Sequence, residues 1–144
     1  MKKSEVEWKI QGPMLEYKKG YLSDYFQGFA AKRLTLVEVN PQKSNQHEFQ
    51  GVQKLRQLLG TPSEKVKMKA RFVRLDDEGT SESVECFVTW SDVRREKHDR
   101  SPEYHLYYSA ESEEIVHKSL PGDLLLVCKH KVGDLLVVLA PAES

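Results

Sequence analysis

The chain has 144 residues and carries 22 lysine or arginine residues against 22 aspartate or glutamate residues, so its formal net charge at neutral pH is zero. This balance counts against a protein that coats nucleic acid non-specifically, but it leaves open a protein that reads a base sequence. The longest apolar runs, DLLLVC and DLLVVLA, are far too short to span a bilayer, which excludes a transmembrane helix.

The length and composition are typical of one polar domain. Hydrophobic residues make up 39% of the chain and charged residues 31%, which indicates a soluble protein with much polar surface, and we expect a single domain over residues 1–144. No signal-peptide pattern opens the chain, and Cys86 and Cys128 both lie in apolar, strand-like runs. We therefore expect buried free thiols and a cytoplasmic location.

The first thirty residues carry the weakest pattern. Apolar residues in PMLEYKKGYLSDYF, residues 13–26, are spaced as in one or two short helices broken by Gly20, so a helical extension is expected over residues 1–30. The next stretch, KRLTLVEV, alternates and contains β-branched residues, which predicts a strand over residues 32–39.

A polar loop and a helix follow. The stretch NPQKSNQ, residues 40–46, is predicted to be a loop because of its Asn-Pro pair and its polar run. In GVQKLRQLLG, residues 51–60, the apolar residues are spaced as on one face of a helix, and Gly60 with the nearby Pro62 gives a helix end.

Alternating patterns predict strands from residue 65 onward. KVKMKARFVRL, residues 65–75, alternates lysine with apolar residues, so we predict a strand with one apolar face and one basic face. VECFVTW, residues 84–90, and EYHLYY, residues 103–108, alternate in the same way. The polar stretch DDEGTSES, residues 76–83, is predicted to be the turn between the first two of these strands.

The last part of the chain predicts a short helix and a hairpin. ESEEIVHKSL, residues 111–120, has acidic residues at its start and Lys118 near its end, as a helix dipole favours. Two apolar strands then follow, joined at KVGD, residues 131–134. In total the sequence predicts six or seven strands and two or three short helices, a mainly β fold of the α+β class.

A metal-dependent nuclease is one function to weigh. PGDLLLVCK, residues 121–129, places Asp123 ahead of a candidate acid-x-Lys triplet, but Val127 occupies the position of the second acid. Two acids are needed to hold Mg²⁺ and a lysine is needed near the attacked phosphate. A strand with a turn explains the stretch better, and a small Mg²⁺-dependent nuclease is kept as an alternative.

Other catalytic or metal sites have little support in the sequence. The five histidines and two cysteines show neither Cys-x-x-Cys nor His-x-x-x-His spacing, so half-buried or exposed histidines explain them better than zinc does. There is no Gly-x-Ser-x-Gly motif, and the glycines are scattered singly rather than grouped as a phosphate loop.

Two polar loops form the strongest candidate site. The first loop is NPQKSNQHEFQ, residues 40–50, and the second loop is SDVRREKHDRSPE, residues 91–103. Arginine can grip guanine, asparagine or glutamine can pair with adenine, and aspartate or glutamate can accept from cytosine, whereas lysine and serine suit phosphates. The candidate DNA contacts in these loops are Lys43, Ser44, Asn45, Gln46, His47, Glu48, Asp92, Arg94, Arg95, Lys97, His98, Asp99, Arg100, Ser101 and Glu103.

Both loops resemble one protein family. AAKRLTLVEVN, SNQHEFQGVQKLRQLLG, TWSDVRREKHDRSPEYHLYY and PGDLLLV together resemble the amino-terminal recognition domain of EcoRII-type restriction endonucleases, over roughly residues 22–141. The resemblance implies a DNA-binding pseudobarrel whose two arms enter the major groove like the jaws of a wrench. It also implies a short target of the CC(A/T)GG kind, with cleavage carried out by a separate nuclease domain.

The resemblance implies roles for individual residues. It places Lys32 and Arg33 at the root of the first arm and Asn45, Gln46 and His47 at its tip. It places Arg94 and Arg95 where the second arm leaves its strand, and Arg100 and Glu103 in the returning half. His105 departs from the family pattern, which has arginine there, so the target of this chain can differ.

The sequence therefore predicts a double-stranded DNA recognition domain without catalysis of its own. It needs no cofactor for binding, since Mg²⁺ belongs to a nuclease domain outside this chain, and we expect a monomer that has no membrane or small-molecule partner. We also expect the chain to be a domain of a larger enzyme. A protein-interaction module with solvated charged loops is the remaining alternative.

Overall fold

The structure is a computed structural model, and it describes residues 5–6, 20–21, 25–40, 47–76, 78, 81–94 and 101–142. The strands are β1 (Glu5–Val6), β2 (Gly20–Tyr21), β3 (Phe26–Arg33), β4 (Glu48–Gln50), β5 (Val66–Leu75), β6 (Ser81–Asp92), β7 (Tyr104–Tyr108), β8 (Leu124–His130) and β9 (Leu135–Ala140). The helices are α1 (Leu36–Val39), α2 (Gln53–Leu59) and α3 (Glu113–His117), and a 3₁₀ turn over Ala110–Ser112 precedes α3.

Seven strands form one mixed sheet in the order β3-β8-β9-β5-β6-β7-β4, and β1 pairs with β2 separately. Every neighbouring pair in the large sheet is antiparallel except β5 and β9, which are parallel. The sheet curls into a half-barrel with few short helices, which confirms the predicted mainly β fold.

The larger cluster of buried residues lies inside the curl, and a smaller cluster of Phe26, Val73, Cys128 and Leu136 is separate from it. Alternating side chains of β5, β6 and β7 point into the curl, as the sequence predicts, because successive residues of a strand face opposite sides of the sheet. Trp90 and Leu106 are fully buried, and Phe72 stacks on Phe49 from β4 with their ring centroids 6.2 Å apart. Burying each such side chain contributes about 1.5–3 kcal/mol, so these facing rows are the main support of the fold.

Of residues 32–39, which alternation predicts to be a strand, only Lys32 and Arg33 are in one. Strand β3 ends at Arg33, and helix α1 begins at once. Its start is a capping box, in which the Thr35 hydroxyl accepts from the Glu38 N–H at 3.3 Å and Glu38 Oε1 accepts from the Thr35 N–H at 2.8 Å. The Thr-x-x-Glu pattern therefore outweighs the strand propensity of the stretch, and Leu36 is exposed.

Glu38 also ties together the two edges of the sheet. Its carboxylate is 2% exposed and forms an ion pair with Lys32 of β3, the strand at one edge. The same carboxylate accepts from the Gln50 N–H of β4, the strand at the other edge, at 2.7 Å. One buried glutamate thus fixes the curl, and we call Glu38 and Lys32 the closing pair.

Of the remaining predictions of local structure, some are confirmed and one is wrong. Helix α2, with Gly60 at φ 86°, is confirmed, as are the helical stretch near residue 113 and the β8–β9 hairpin. The predicted helical extension over residues 1–30 is wrong at the described positions, because residues 5–6, 20–21 and 26–30 are strands. The other residues of that stretch lie outside the described part, apart from Tyr25, which is in a turn.

Both cysteines are buried and free, as expected. Burial raises the pKa of the Cys86 thiol, and burial also raises the pKa of the Cys128 thiol to about 12. Both thiols therefore stay protonated at neutral pH and serve as small apolar core residues.

No helix in the described part of the chain is long and apolar enough to cross a membrane.

Candidate functional site

Each polar loop returns to the sheet beside one end of strand β7. Strand β4, which closes the first loop, runs antiparallel to β7, and the Tyr108 N–H donates to the His47 carbonyl at 2.8 Å. The second loop enters β7 at its other end, at Tyr104. Because Tyr104 and Tyr108 are four residue steps apart at about 3.3 Å each, the two loops are rooted roughly 13 Å apart.

Asp92 closes the base of the second loop. This buried carboxylate accepts from the Arg94 N–H and from the Glu103 N–H, each at 2.9 Å, so it joins the outgoing and returning halves of the loop. The Val93 N–H also donates to the Glu103 carbonyl at 2.8 Å. These contacts favour a structural role for Asp92 over the reading of a base.

A row of four side chains connects the second loop to the first, and we call it the charged row: Arg94, Glu103, His105 and Glu48. Arg94 Nη2 lies 3.3 Å from Glu103 Oε1, and His105 Nε2 lies 3.4 Å from Glu103 Oε2. On the other side of the ring, His105 Nδ1 lies 3.0 Å from Glu48 Oε2. His105 is therefore held between one carboxylate from each loop.

His47 fixes the root of the first loop. It adopts a left-handed backbone conformation with φ 51°, and its ring stacks on Tyr108 with centroids 5.5 Å apart. Its Nε2 atom lies 3.2 Å from a carboxylate oxygen of Glu113, whose other oxygen lies 3.8 Å from Nδ1 of His117. Burial lowers the pKa of His117, with Glu113 acting in the opposite direction.

The two residues expected at the root of the first arm differ in their surroundings. The Lys32 ammonium is buried against Glu38 in the closing pair, so it supports the sheet. Arg33 is exposed, and its Nη1 donates to the Gly122 carbonyl at 3.4 Å. Of these two cations, only Arg33 can reach an outside phosphate without breaking a buried ion pair.

The tips of both loops lie outside the described residues. Of the predicted contacts with the base edges and phosphates, the structure describes Glu48, Ser101 and Glu103 at the loop roots, in addition to those discussed above. Ser101 is exposed, and its carbonyl accepts from Arg94 Nη1 at 3.5 Å. The predicted contacts outside the described residues are Lys43, Ser44, Asn45, Gln46, Arg95, Lys97, His98, Asp99 and Arg100.

An aromatic support beneath the second loop was not predicted from the sequence. Tyr104 stacks on Trp90 at 5.2 Å, and its hydroxyl donates to the Pro62 carbonyl at 2.8 Å, while burial raises the pKa of this phenol. The Gly51 N–H donates to the Tyr104 carbonyl at 2.7 Å, and a Cβ atom at Gly51 would lie only 2.3 Å from that carbonyl oxygen. In the sequence, a glycine directly after Phe49 and Gln50 and shortly before the helix is the signal for this close approach of two backbone segments.

Within the described part of the chain, no group of three or more histidine, cysteine, aspartate or glutamate side chains could hold a metal ion. The comparisons of the chain with protein-family models, with curated proteins and with solved structures give no match.

Proposed function

We propose that this chain is a sequence-specific recognition domain for double-stranded DNA, built as a pseudobarrel and belonging to a restriction endonuclease of the EcoRII type. The observation that carries the proposal is the rooting of two loops, rich in base-reading side chains, at the two ends of one rigid strand. Their roots are joined by a continuous charged row, so the loops are held as a pair.

The separation of the loops supports this proposal. Roots about 13 Å apart are comparable to the width of a major groove, about 12 Å, so both loops can enter one groove. The aromatic support and Asp92 hold the base of the second loop in one geometry, and Glu113 and Tyr108 do the same for His47. Such preorganisation lowers the ordering cost of binding.

The chemistry of the loops suggests how the target is distinguished. Arg95 and Arg100 are the best candidates to grip guanine, because Arg94 is already engaged by Glu103. Glu48 has one oxygen turned toward His105 and can offer the other to the amino group of cytosine, whereas the two oxygens of Glu103 face Arg94 and His105. A histidine at position 105 in place of arginine is the most direct reason for a changed base preference.

The proposal is tested by selecting bound sequences from a randomised duplex library with the purified chain. We expect one short consensus to be enriched. Arg95→Ala or Arg100→Ala should then cost about 1–3 kcal/mol and relax the preference at one base pair. Arg74→Ala, on the β5–β6 hairpin where it pairs with Glu82, is the matched control and should bind as the wild type does.

The outcomes separate the alternatives. An equal loss on all sequences would make the altered arginine a phosphate contact, and absence of duplex binding at low salt would overturn the proposal in favour of a protein-interaction module. Incubating plasmid DNA with the chain and Mg²⁺ tests the remaining alternative, because a small nuclease would cut it.

A further inference from the structure

Three exposed lysines follow one another along strand β5. Lys65 immediately precedes the strand, and Lys67 and Lys69 alternate with residues that turn toward the core. Their repeat of two residues puts successive lysines about 6.6 Å apart on one face of the sheet. We call Lys65, Lys67 and Lys69 the lysine stripe.

The stripe lies in the half of β5 that has one neighbouring strand in the described part of the chain. β5 pairs with β6 from Val66 onward, but its pairing with β9 begins at Ala70, beyond Lys69. Lysines on such an open edge can prevent pairing with another chain. Like charges at this spacing also repel one another in the free protein, and an anion that faces the stripe would relieve that repulsion.

The lysine stripe belongs to the described basic residues that are not paired with a glutamate. Five described cations form ion pairs with glutamates: Lys32, Arg71, Arg74, Arg94 and Lys118. The three lysines of the stripe form no ion pair with another described residue. Lys67 instead places its ammonium 4.6 Å from the centroid of the exposed Phe87 ring, which leaves the charge accessible.

The strand register places the stripe on the face of the sheet that lies between the roots of the two loops. Lys67 is opposite Thr89, Thr89 is opposite Tyr107, and Tyr107 is opposite Glu48 of the first loop. Residues directly opposite one another in neighbouring strands share a face of the sheet, so the stripe and the charged row lie on the same face.

The stripe also extends along the direction that separates the loops. Its Lys65 end adjoins Val66, which is opposite Trp90, near the root of the second loop. Its Lys69 end is opposite Phe87, whose carbonyl accepts from the Ser109 N–H just beyond the far end of β7. The stripe thus runs beside β7 from one loop root to the other.

We infer that the lysine stripe binds one sugar–phosphate backbone of the duplex and so sets the position of the DNA between the loops; this inference rests on the proposed function. Strand β5 lies two strand spacings, about 9.5 Å, from β7. That offset is comparable to the width of the major groove, about 12 Å, so a duplex whose groove receives the loops presents a flanking backbone to β5.

The three lysines are not equivalent in this role. Lys69 shares a shallow depression with Glu85 and Glu111, although Glu85 pairs with Arg71 and Glu111 accepts from the Ser109 hydroxyl. These carboxylates reduce the attraction of a phosphate to the Lys69 end. Lys67, flanked by Phe87 and Thr89, is therefore the central contact.

The test uses the full chain carrying Lys67→Gln and Lys69→Gln together, with the duplex selected by the wild type and a scrambled duplex. Each lost phosphate contact should reduce the slope of log affinity against log salt by about 0.9, so the double variant should lose about 1.8. Affinity should fall by the same factor for both duplexes, because phosphate contacts convey no base sequence.

A matched control removes the same charge elsewhere. Lys131→Gln changes an exposed lysine in the β8–β9 turn and should leave the salt slope unchanged. Thermal unfolding of both variants should match the wild type, since the altered side chains are exposed.

Three results would overturn the inference. An unchanged slope in the double variant, with the wild type still binding its selected duplex, would refute the stripe and leave the proposed function standing. A loss confined to the selected duplex would make Lys67 or Lys69 a base contact. Failure of the wild type to bind any duplex would refute the proposed function and, with it, the role of the stripe.

Discussion

Two carboxylates, those of Glu38 and Asp92, each join two chain segments, but their surroundings differ. Each accepts backbone N–H groups from two separate segments, Glu38 from Thr35 and Gln50, and Asp92 from Arg94 and Glu103. Glu38 additionally neutralises a buried lysine, whereas the neighbours of Asp92 form a partly exposed ion pair.

The difference indicates which region is scaffold and which can adapt. Substituting either member of the closing pair leaves a buried charge or donor without its partner, which is costly in a medium of low dielectric. Around Asp92, the Arg94–Glu103 pair is screened by solvent, so it can exchange partners with a ligand at little cost. The closing pair maintains the fold, and the charged row is free to take part in binding.

The largest expected effect tests the closing pair. Glu38→Ala should lower the free energy of unfolding by about 3–5 kcal/mol, because Lys32 is left as an unpaired buried cation. Urea denaturation followed by circular dichroism measures the loss. Adding Lys32→Met to the same chain should recover part of it, and a loss below about 1 kcal/mol in the single variant would contradict a scaffold role.

The next effect tests the base of the second loop. Asp92→Ala should cost about 1–3 kcal/mol of unfolding free energy, because the N–H groups of Arg94 and Glu103 lose their acceptor. Asp92→Asn keeps an acceptor oxygen and should cost clearly less in the same denaturation experiment. If Asp92→Asn instead kept full stability and relaxed one base pair of the target, Asp92 would be a base reader.

A smaller effect on stability is expected in the charged row itself. Arg94→Ala should change the free energy of unfolding by no more than about 1 kcal/mol, because its pair with Glu103 is partly exposed. If the proposed function holds, His105→Arg should also change stability little but should shift the base preference in a repeated library selection. A selection identical to that of the wild type would remove His105 from the recognition surface.

The smallest effect concerns pH. Because the pKa of His117 is lowered by burial, the unfolded chain binds more protons than the folded chain as the pH falls below its ordinary value of about 6.5. Its contribution is therefore present at neutral pH and is lost as the pH falls from about 6.5 toward the lower pKa of the folded state. Unfolding free energies at pH 7.5, 6.5 and 5.5 should fall less in His117→Gln than in the wild type; parallel curves would contradict this.

The part of the fold that sequence patterns predict is local. Alternation in residues 65–75, 84–90 and 103–108 predicts the strands, because a strand repeats every two residues whatever its partner. It predicts the buried faces of β6 and β7, but β5 is buried on both faces from Ala70 to Val73, where Arg71 pairs with Glu85. The same alternation predicts the basic face of β5, although not what that face adjoins. The alternation of residues 32–39 misleads, since a capping box and a buried glutamate decide the structure there.

The candidate site follows the same division. The two polar loops are visible as charge and amide patterns, and their roots are found beside β7, but the loop tips and the reading of DNA remain predictions. The sequence does not distinguish Asp92, which closes a loop base, from Glu103, which extends toward solvent, because both are acids beside a turn. Likewise it does not separate the buried Lys32 from the exposed Arg33.

By itself, the sequence determines a mainly β chain with apolar strand faces, a helix ending at Gly60 and two polar loops, because periodicity and turn chemistry act over a few residues. Tertiary structure alone decides that β5 and β9 run parallel, that Glu38 joins β3 to β4, and that the lysine stripe shares a face with His105. Each of these depends on contacts between distant segments, which are set by how the sheet curls to bury its core.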